Sequence, residues 1–284
     1  MRPSERRSCS TLPALPAVPA GWRWEARDGL VLLRAAPLDA LGVPHAFTTR
    51  SGGVSAPPFE ALNLGRGVGD APEAVAENRA RAVRALGRAP DDHVEASQVH
   101  GREVASVTGA HRGQTMPGAD GLVSADPAAV LAIHCADCVP ILLVDPRRRV
   151  VAAVHTGWRG TAAGAAAAAV SAMAAACGSD PGDLIAAIGP SIGPCCYEVD
   201  APVVEGLAAW PWYEQVLAPA RSARPGRWML DLWEANRRQL VGAGVSPSSI
   251  TATGLCTAHH PALFFSHRRD GATGRMAAMI AVTP

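Results

Sequence analysis

Lysine is absent from this chain, and all 26 basic residues are arginine. This absence excludes a lysine Schiff base and a Walker-type lysine that contacts phosphate. Anions must therefore be bound by arginine or by backbone amides. An excess of charge of one sign is also lacking, because the formal net charge is +1. Neither nucleic acid nor an acidic membrane surface is therefore expected as a partner.

Cysteines are few, and long hydrophobic runs are lacking. Seven cysteines in 284 residues are too few for a secreted disulfide scaffold, and an odd number cannot all pair within the chain. The cysteine content therefore favours the reducing cytoplasm. The most apolar stretch, GTAAGAAAAAVSAMAAACG, is alanine-rich and suits a buried helix better than a membrane span. Prolines interrupt the apolar residues near the N-terminus, so residues 1–25 are predicted to be a flexible tail rather than a signal peptide. Residues 26–284 are predicted to form the folded domain.

The remaining sequence consists mainly of short apolar strands with a few helices between them. The segment APEAVAENRARAVRALG has proline near its first turn, apolar residues at helical spacing and glycine at its end, which predicts a helix. Further helices are expected over about residues 159–177, 201–210 and 230–242. Strands such as RVVAAVH are wholly apolar, which suits sheets that are covered on both faces. One mixed α/β domain is therefore predicted.

Three potential metal ligands stand where predicted strands meet turns. They are His100 in SQVHG, Cys138 in ADCVP and His155 in VHTGWRG. Their spacing does not fit a zinc finger or ribbon, whose ligands come in close pairs, but three strand ends could bring them together. Two imidazoles and one thiolate would suit Zn²⁺ and leave a fourth position open for water or substrate. Alternatively, the two histidines and the cysteine are ordinary core residues.

The same side chains also permit a cysteine hydrolase. In that hypothesis Cys138 is the nucleophile, His155 or His100 is its base and Asp137 orients the base, because a nearby imidazole lowers the pKa of a thiol. Stoichiometric zinc in the purified protein would distinguish the metal site from the hydrolase. Cys135 forms a C-x-x-C motif with Cys138, but a strand rather than a helix is predicted after it. A redox pair is therefore not favoured.

Other cysteines and histidines lie outside this group. Cys195 and Cys196 are adjacent in GPCCYEV, and we interpret them as tight-turn packing rather than as a vicinal disulfide. His259 and His260 follow Cys256 closely. We interpret them as part of a surface loop, with a further metal cluster as the alternative.

Arginines are the candidates for anion binding. Arg159 lies where the alanine-rich helix begins, so a phosphate there would meet both its guanidinium and free backbone N–H groups. Arg50 in TTRSGG is followed by two glycines that allow the backbone to approach a ligand closely. Arg268 and Arg269 in SHRRDG are a third possibility. Each of these arginines could instead form an ordinary surface ion pair.

The motifs together resemble the laccase-domain family, whose members are described as purine nucleoside phosphorylases and formerly as multicopper polyphenol oxidases. The matching stretches run in order from Phe47 to Met276: FTTRSGGVS, SQVHG, ADGLVS, ADCVPILLVD, VAAVHTGWRG, IGPSIGPCCYEV and FFSHRRDGATGRM. This resemblance implies an α-β-β-α layered sandwich. Copper oxidase chemistry is not expected, because the nine histidines include no H-x-H pair.

The resemblance also implies a site and a reaction. The family's zinc ligands correspond to His100, Cys138 and His155, and Gly157 is expected to permit the turn after them. The implied reaction is phosphorolysis of adenosine, inosine and methylthioadenosine to the free base and ribose 1-phosphate, with deamination of adenosine at the same site. Nucleosides and phosphate are thus the expected partners, and Arg159 and Arg50 are the candidate phosphate-binding residues.

A second activity is also associated with the family. Bacterial relatives are described as peptidoglycan editing factors, which would hydrolyse an amide of a cell-wall precursor with zinc or the Cys138 thiolate. Release of serine from a muramyl precursor would identify this activity. The sequence departs from the family pattern at Cys135, where threonine is frequent, at Thr156, where alanine is usual, and at His267, where tyrosine is common. These departures leave the preferred substrate open.

Overall fold

The computed structural model of the protein describes residues 14–222 and 224–283. The strands are β1 (Trp22–Arg27), β2 (Leu30–Ala35), β3 (His45–Thr48), β4 (His93–Ala96), β5 (Val104–Ser106), β6 (Thr115–Met116), β7 (Gly121–Ser124), β8 (Val130–Cys135), β9 (Val139–Asp145), β10 (Val150–Thr156), β11 (Ile185–Ile188), β12 (Glu198–Asp200), β13 (Leu217–Pro219), β14 (Arg227–Leu230), β15 (Ile250–Ala252) and β16 (Met276–Ala281). The helices are α1 (Ala36–Ala40), α2 (Pro72–Ala85), α3 (Trp158–Ala163), α4 (Ala165–Cys177), α5 (Ala201–Leu207), α6 (Leu232–Gly242) and α7 (His267–Asp270).

The strands form two large sheets and one small one. The seven-stranded sheet has the order β1-β2-β3-β16-β8-β4-β6, and the six-stranded sheet has the order β15-β11-β9-β10-β7-β5. Most neighbours are antiparallel, but β4 pairs in parallel with both β8 and β6, β5 with β7, and β11 with β15. Strands β12, β14 and β13 form a separate three-stranded sheet.

The two large sheets pack face to face, and helices cover their outer faces. Buried side chains of both sheets fill the space between them, among them Phe47, Leu131, Ile133, Leu142 and Val151. A second buried cluster joins α2 to the outer face of the seven-stranded sheet. A third joins α4 and α6 to the outer face of the six-stranded sheet. Apolar strands covered on both faces thus produce the α-β-β-α order of layers, as predicted.

The alanine-rich segment forms two helices rather than the single one expected over about 159–177. Gly164 ends α3 and begins α4 with a φ of 86°, in the left-handed region that favours glycine. Trp210 packs against this break, and its indole N–H donates to the carbonyl oxygen of Ala162 at 3.0 Å. None of the helices within the described ranges is long and apolar enough to cross a membrane.

The sheet begins inside the segment predicted to be a tail. Strand β1 pairs with β2 along its whole length, so residues 22–25 belong to the sheet, whereas residues 1–13 lie outside the described ranges. Trp22 is buried, and its ring centroid lies 5.5 Å from that of Phe47. Its indole N–H donates to Thr251 Oγ1 of the other large sheet at 2.8 Å. This tryptophan therefore links the two sheets. The folded domain thus includes Trp22, although it was predicted to begin at residue 26.

Replacing Trp22 by alanine tests this boundary. We expect Trp22→Ala to lower the free energy of unfolding by about 3–5 kcal/mol, because it removes a large buried ring. Leu15→Ala is the control, since Leu15 is exposed and its loss should change stability by about 0.5 kcal/mol or less. Chemical denaturation measures both. A neutral Trp22→Ala variant would mean that residues 22–25 do behave as a tail.

Candidate active site

The pairing of β9 with β10 places Cys138 beside His155. In this antiparallel pair His155 lies opposite Pro140, and Thr156 lies opposite Val139. Cys138 directly precedes Val139, so it lies where β10 ends. Two residues that are distant in sequence therefore meet because of strand register.

Asp120 connects His155 to the loop that carries His100. Asp120 directly precedes β7, and its Oδ1 lies 2.9 Å from His155 Nδ1 and accepts the backbone N–H of His100 at 2.9 Å. Its Oδ2 accepts the N–H groups of Val99 and Gly101 at 3.1 and 2.6 Å. One buried carboxylate thus sets both the ring orientation of His155 and the backbone position of His100.

The three predicted ligands come together in space. One ligand atom each of His100, Cys138 and His155 lies within 4.8 Å of the other two. The imidazole centroids of His100 and His155 are 5.1 Å apart, and the rings are inclined by 73°. A carboxylate on Nδ1 of His155 leaves Nε2 available as the ligand, which is the usual arrangement around a metal-binding histidine. Two imidazoles and one thiolate form a donor set that fits Zn²⁺.

Gly157 makes room for this set. Its φ of −77° and ψ of 179° are open to any residue, so the predicted role of permitting the turn is wrong. A Cβ atom on Gly157 would lie 2.9 Å from Cys138 Sγ and 3.1 Å from His100 Cδ2. Glycine is required here because the backbone passes directly against the ligand side chains.

Backbone strain is concentrated around these ligands. Gln98, His100 and Asp137 have φ values of 57°, 61° and 97°, which residues other than glycine rarely adopt. Such conformations cost about 1–3 kcal/mol each and persist only where neighbouring contacts impose them. The Gln98 side chain accepts the N–H of His134 at 2.7 Å and donates to its carbonyl oxygen at 2.6 Å. The strained loop is thereby attached to β8.

Asp137 holds the loop before Cys138 and does not orient a histidine. Its carboxylate accepts the Thr257 hydroxyl at 2.6 Å and the backbone N–H of Arg268 at 2.7 Å. The orienting role in the cysteine hydrolase hypothesis therefore belongs to Asp120, which contacts His155. The sequence did not indicate this, because Asp137 is the nearer carboxylate along the chain.

Cys138 and His155 shift each other's pKa in opposite directions. Burial raises the pKa of Cys138, but the positive charge of His155 and hydrogen bonds from both histidines outweigh it and lower the pKa to about 6. Burial lowers the pKa of His155, but Cys138 and Asp120 outweigh it and raise the pKa to about 9. Burial raises the pKa of the neighbouring Cys135 thiol. Cys135 therefore stays protonated beside a Cys138 thiolate, so the two thiols differ in character.

The ligands lie in the wall of a cavity of about 570 Å³. Its charged lining residues include Arg66, Arg79, Arg275 and Glu95. Arg79 and Glu95 form a buried ion pair, with Nη1 and Oε1 2.6 Å apart. Three guanidinium groups therefore face one carboxylate, which favours an anionic group in the cavity.

The two arginines predicted to bind phosphate are not among the cavity-lining residues of the described chain. Arg50 donates from Nε to the carbonyl oxygen of Glu60 at 2.8 Å and from Nη1 to that of Pro261 at 3.0 Å. Arg159 is exposed, and its guanidinium lies 4.4 Å from the ring centroid of Trp158. Both groups therefore have other neighbours, and the cavity offers different arginines.

Four important residues were not predicted from the sequence. Asp120, Arg66, Arg275 and Glu95 all contribute to the site or its cavity. Asp120 could have been found from the sequence, because it lies in ADGLVS directly before a strand. Arg66 had a weaker signal, the sequence GRG in a long loop. Gly65 leaves room for Arg275, since a Cβ atom there would lie 2.5 Å from its Cγ.

The match to a family model covers most of the chain. Residues 44–283 match the model described as multi-copper polyphenol oxidoreductase laccase. The chain belongs to this family. The resemblance indicated by the sequence motifs, to the laccase-domain family, is therefore confirmed.

Curated and solved members of the laccase-domain family span nearly the same length. The protein named purine nucleoside phosphorylase YlmD of Geobacillus stearothermophilus is 44% identical over 247 residues, which are 84% of this chain and 90% of that protein. A purine nucleoside phosphorylase of Deinococcus radiodurans is 46% identical over 255 residues, 89% of this chain and 93% of that protein. The crystal structure of the Geobacillus protein has a TM-score of 0.84 at 41% identity and covers 94% of this chain and 100% of that chain. That of YfiH from Bacillus licheniformis has a TM-score of 0.85 at 36% identity, covering 92% and 99%. The shared fold thus extends over the whole site.

Replacing Asp120 tests its role as the residue that positions the ligands. If the His-Cys-His set binds zinc, Asp120→Asn should weaken the affinity about 10- to 100-fold, because the carboxylate that orients His155 loses its charge. Asp126→Asn is the matched control, since Asp126 accepts the backbone N–H groups of Gly109 and Ala128 without contacting a ligand. Competition with a chelator measures the affinity. Equal affinities of the two variants would contradict the role of Asp120.

Proposed function

We propose that the protein is a zinc-dependent purine nucleoside phosphorylase that also deaminates adenosine. The observation that carries this proposal is a His-Cys-His ligand set within 4.8 Å in the wall of an arginine-rich cavity. The 44% identity to a protein named purine nucleoside phosphorylase supports the same reaction class. The substrates would be a purine nucleoside and inorganic phosphate.

His100, Cys138 and His155 would hold the zinc ion. Zinc would supply a Lewis acid that polarises a substrate oxygen or activates water. The Asp120 carboxylate keeps Nε2 of His155 directed away from itself, and its three backbone N–H partners keep the His100 loop in place. The protein would thereby hold zinc with three donors in the wall of the cavity.

Arg275 and Arg66 are the residues best placed to bind phosphate. Arg275 is fixed by hydrogen bonds from Nη1 to the carbonyl oxygens of Thr273 and Gly274, at 2.9 and 3.0 Å. Arg66 is largely exposed at the cavity wall, with 59% of its side chain accessible, and its Nη1 lies 4.0 Å from Glu95 Oε2, farther than the 2.6 Å contact of Arg79 with the same carboxylate. A dianion held by these guanidinium groups would be positioned to attack C1′ of the ribose while the purine leaves. Arg79 contributes less, because Glu95 already neutralises it.

Deamination of adenosine would use the same cavity without phosphate. Water would replace the amino group at C6 of the purine, giving inosine and ammonia. The arginines therefore matter for phosphorolysis, whereas the zinc ligands matter for both reactions. This difference allows the two parts of the site to be tested separately.

Replacing Arg275 tests where phosphate binds. We expect Arg275→Ala to reduce phosphate-dependent release of adenine about thirtyfold or more, because a charge-assisted contact is lost. Conversion of adenosine to inosine should change by only about threefold or less, with zinc content unchanged. Arg159→Ala and Arg50→Ala are the controls, since neither arginine lines the cavity. A selective loss of phosphorolysis in Arg159→Ala instead would place phosphate at the arginine predicted from the sequence.

A cysteine hydrolase acting on a peptidoglycan precursor is the second candidate. Cys138, His155 and Asp120 are arranged as nucleophile, base and orienting carboxylate, and the pKa of Cys138 is lowered to about 6. This activity would not require metal, whereas the phosphorylase would. The two functions therefore differ in their response to a chelator.

Removing zinc distinguishes the two candidates. For the phosphorylase we expect a chelator to abolish adenine release, and Zn²⁺ to restore it, because the ligand set is then the reactive centre. Adenosine with and without phosphate, and a muramyl precursor that carries serine, are the substrates to compare. Serine release by the metal-free protein, without turnover of nucleosides, would support the hydrolase and contradict the phosphorylase.

A further inference from the structure

Two loops away from the active site bring a second group of soft ligands together. Cys195 and Cys196 lie between β11 and β12, whereas His259 lies between β15 and α7. One ligand atom of each lies within 4.8 Å of the other two. The interpretation of these residues as turn packing and as a separate surface loop is therefore incomplete, because the fold joins the two segments.

A third thiol lies beside this group. Cys256 is buried, and its Sγ accepts the backbone N–H of Gly193 at 3.2 Å. It lies outside the group whose ligand atoms are within 4.8 Å of one another, but near enough that burial and the Cys256 thiol together raise the pKa of Cys195 and of Cys196. The two loops thus contribute three thiols and one imidazole, the composition of a Cys₃His zinc site.

Backbone contacts hold the two loops in register. Ser191 and Cys256 form a parallel β-bridge. The N–H groups of Cys196 and Tyr197 donate to the carbonyl oxygen of Gly193 at 2.9 and 3.0 Å, and that of His259 donates to the carbonyl oxygen of Cys256 at 3.2 Å. The positions of the ligand side chains therefore depend on main-chain hydrogen bonds, which exist without a disulfide.

We propose that Cys195, Cys196 and His259 bind a second Zn²⁺ ion that is structural rather than catalytic, with the neighbouring Cys256 thiol approaching as the fourth ligand. Ligand atoms around tetrahedral zinc lie about 3.5–3.8 Å apart, given bonds of about 2.0–2.3 Å. The ligand atoms of Cys195, Cys196 and His259, which lie within 4.8 Å of one another, therefore need to approach by about 1.3 Å at most, whereas Cys256 lies outside this group and its side chain must move as well. Four protein ligands would close the coordination sphere, which is characteristic of structural zinc.

Zinc binding requires these thiols to lose their protons. Burial and the neighbouring Cys256 raise the pKa of Cys195 to about 12, so the free thiol is protonated near neutral pH. Zinc would displace a proton from each thiol that it binds, with no change of oxidation state. Thiolates bound to zinc are also protected from random disulfide exchange.

The second site would support the first through Asp137. Ile192, in one loop, donates its N–H to the carbonyl oxygen of Asp137 at 2.9 Å, and Thr257, in the other loop, donates its hydroxyl to the carboxylate at 2.6 Å. Asp137 directly precedes Cys138. Fixing both loops would therefore stabilise the strained turn that presents the active-site thiol.

Metal analysis of the full chain tests this proposal. After saturation with Zn²⁺ and removal of the excess, we expect about two zinc ions per chain in the unchanged protein and about one in Cys195→Ser. His259→Ala should also lose zinc affinity and should keep its fold, because His259 is exposed. Cys177→Ser is the matched control, since Cys177 lies at the end of α4, outside both ligand sets.

Co²⁺ provides a second readout that separates the two sites. Cys138→Ser should retain the absorption of cobalt–thiolate bonds from the second site, whereas Cys138→Ser combined with Cys195→Ser should lose it. Retention of the same zinc content in Cys195→Ser and His259→Ala would overturn the proposal. A disulfide among Cys195, Cys196 and Cys256 in protein purified under reducing conditions would do so as well. Neither readout requires enzymatic activity, so a failure of the phosphorylase proposal would not affect this test.

Discussion

The geometry of the site depends on the buried carboxylate of Asp120. Burial raises the pKa of this group, but the hydrogen bond with His155 and the N–H of Gly101 outweigh it and hold the pKa below its ordinary value. A buried carboxylate is stable only if its oxygens are hydrogen-bonded, so its partners cannot move independently. The end of β10, the start of β7 and the His100 loop are therefore held at one point.

Asp137, which directly precedes Cys138, is a second carboxylate that fixes the backbone near this thiol. Asp120 binds the histidine side, whereas Asp137 binds Thr257 and the backbone N–H of Arg268. Each carboxylate stabilises a backbone segment that contains a strained residue, His100 in one case and Asp137 in the other. The Cys138 thiol thus lies between two anchored loops, which limits how far its Sγ can move from the imidazoles.

The sequence predicted the features of the fold and of the site that depend on local patterns of apolar and turn-forming residues. Apolar strands that end in turns identified His100, Cys138 and His155, because strand ends are where side chains of distant segments meet. The break at Gly164 was not predicted, and the ring of Trp210 that packs against it comes from a distant part of the chain. The cavity arginines were missed for a similar reason: Arg66 lies in a long loop without periodicity, and its position depends on tertiary contacts. The contact between Asp120 and His155 required the register of β7 with β10, which no local pattern encodes.

The two groups of thiol and imidazole side chains differ in whether they line the cavity, and this difference bears on the chemistry that each group could support. The His100, Cys138 and His155 set borders a cavity of about 570 Å³, so a metal ion there can bind a substrate. Cys195, Cys196 and His259 are not among the residues that line this cavity, and the buried thiol of Cys256 lies near them. Neither group contains an H-x-H pair, and the open set mixes one thiol with two imidazoles. The name of the family model refers to several copper ions, whereas both of these groups combine thiols with imidazoles, a donor set that suits Zn²⁺.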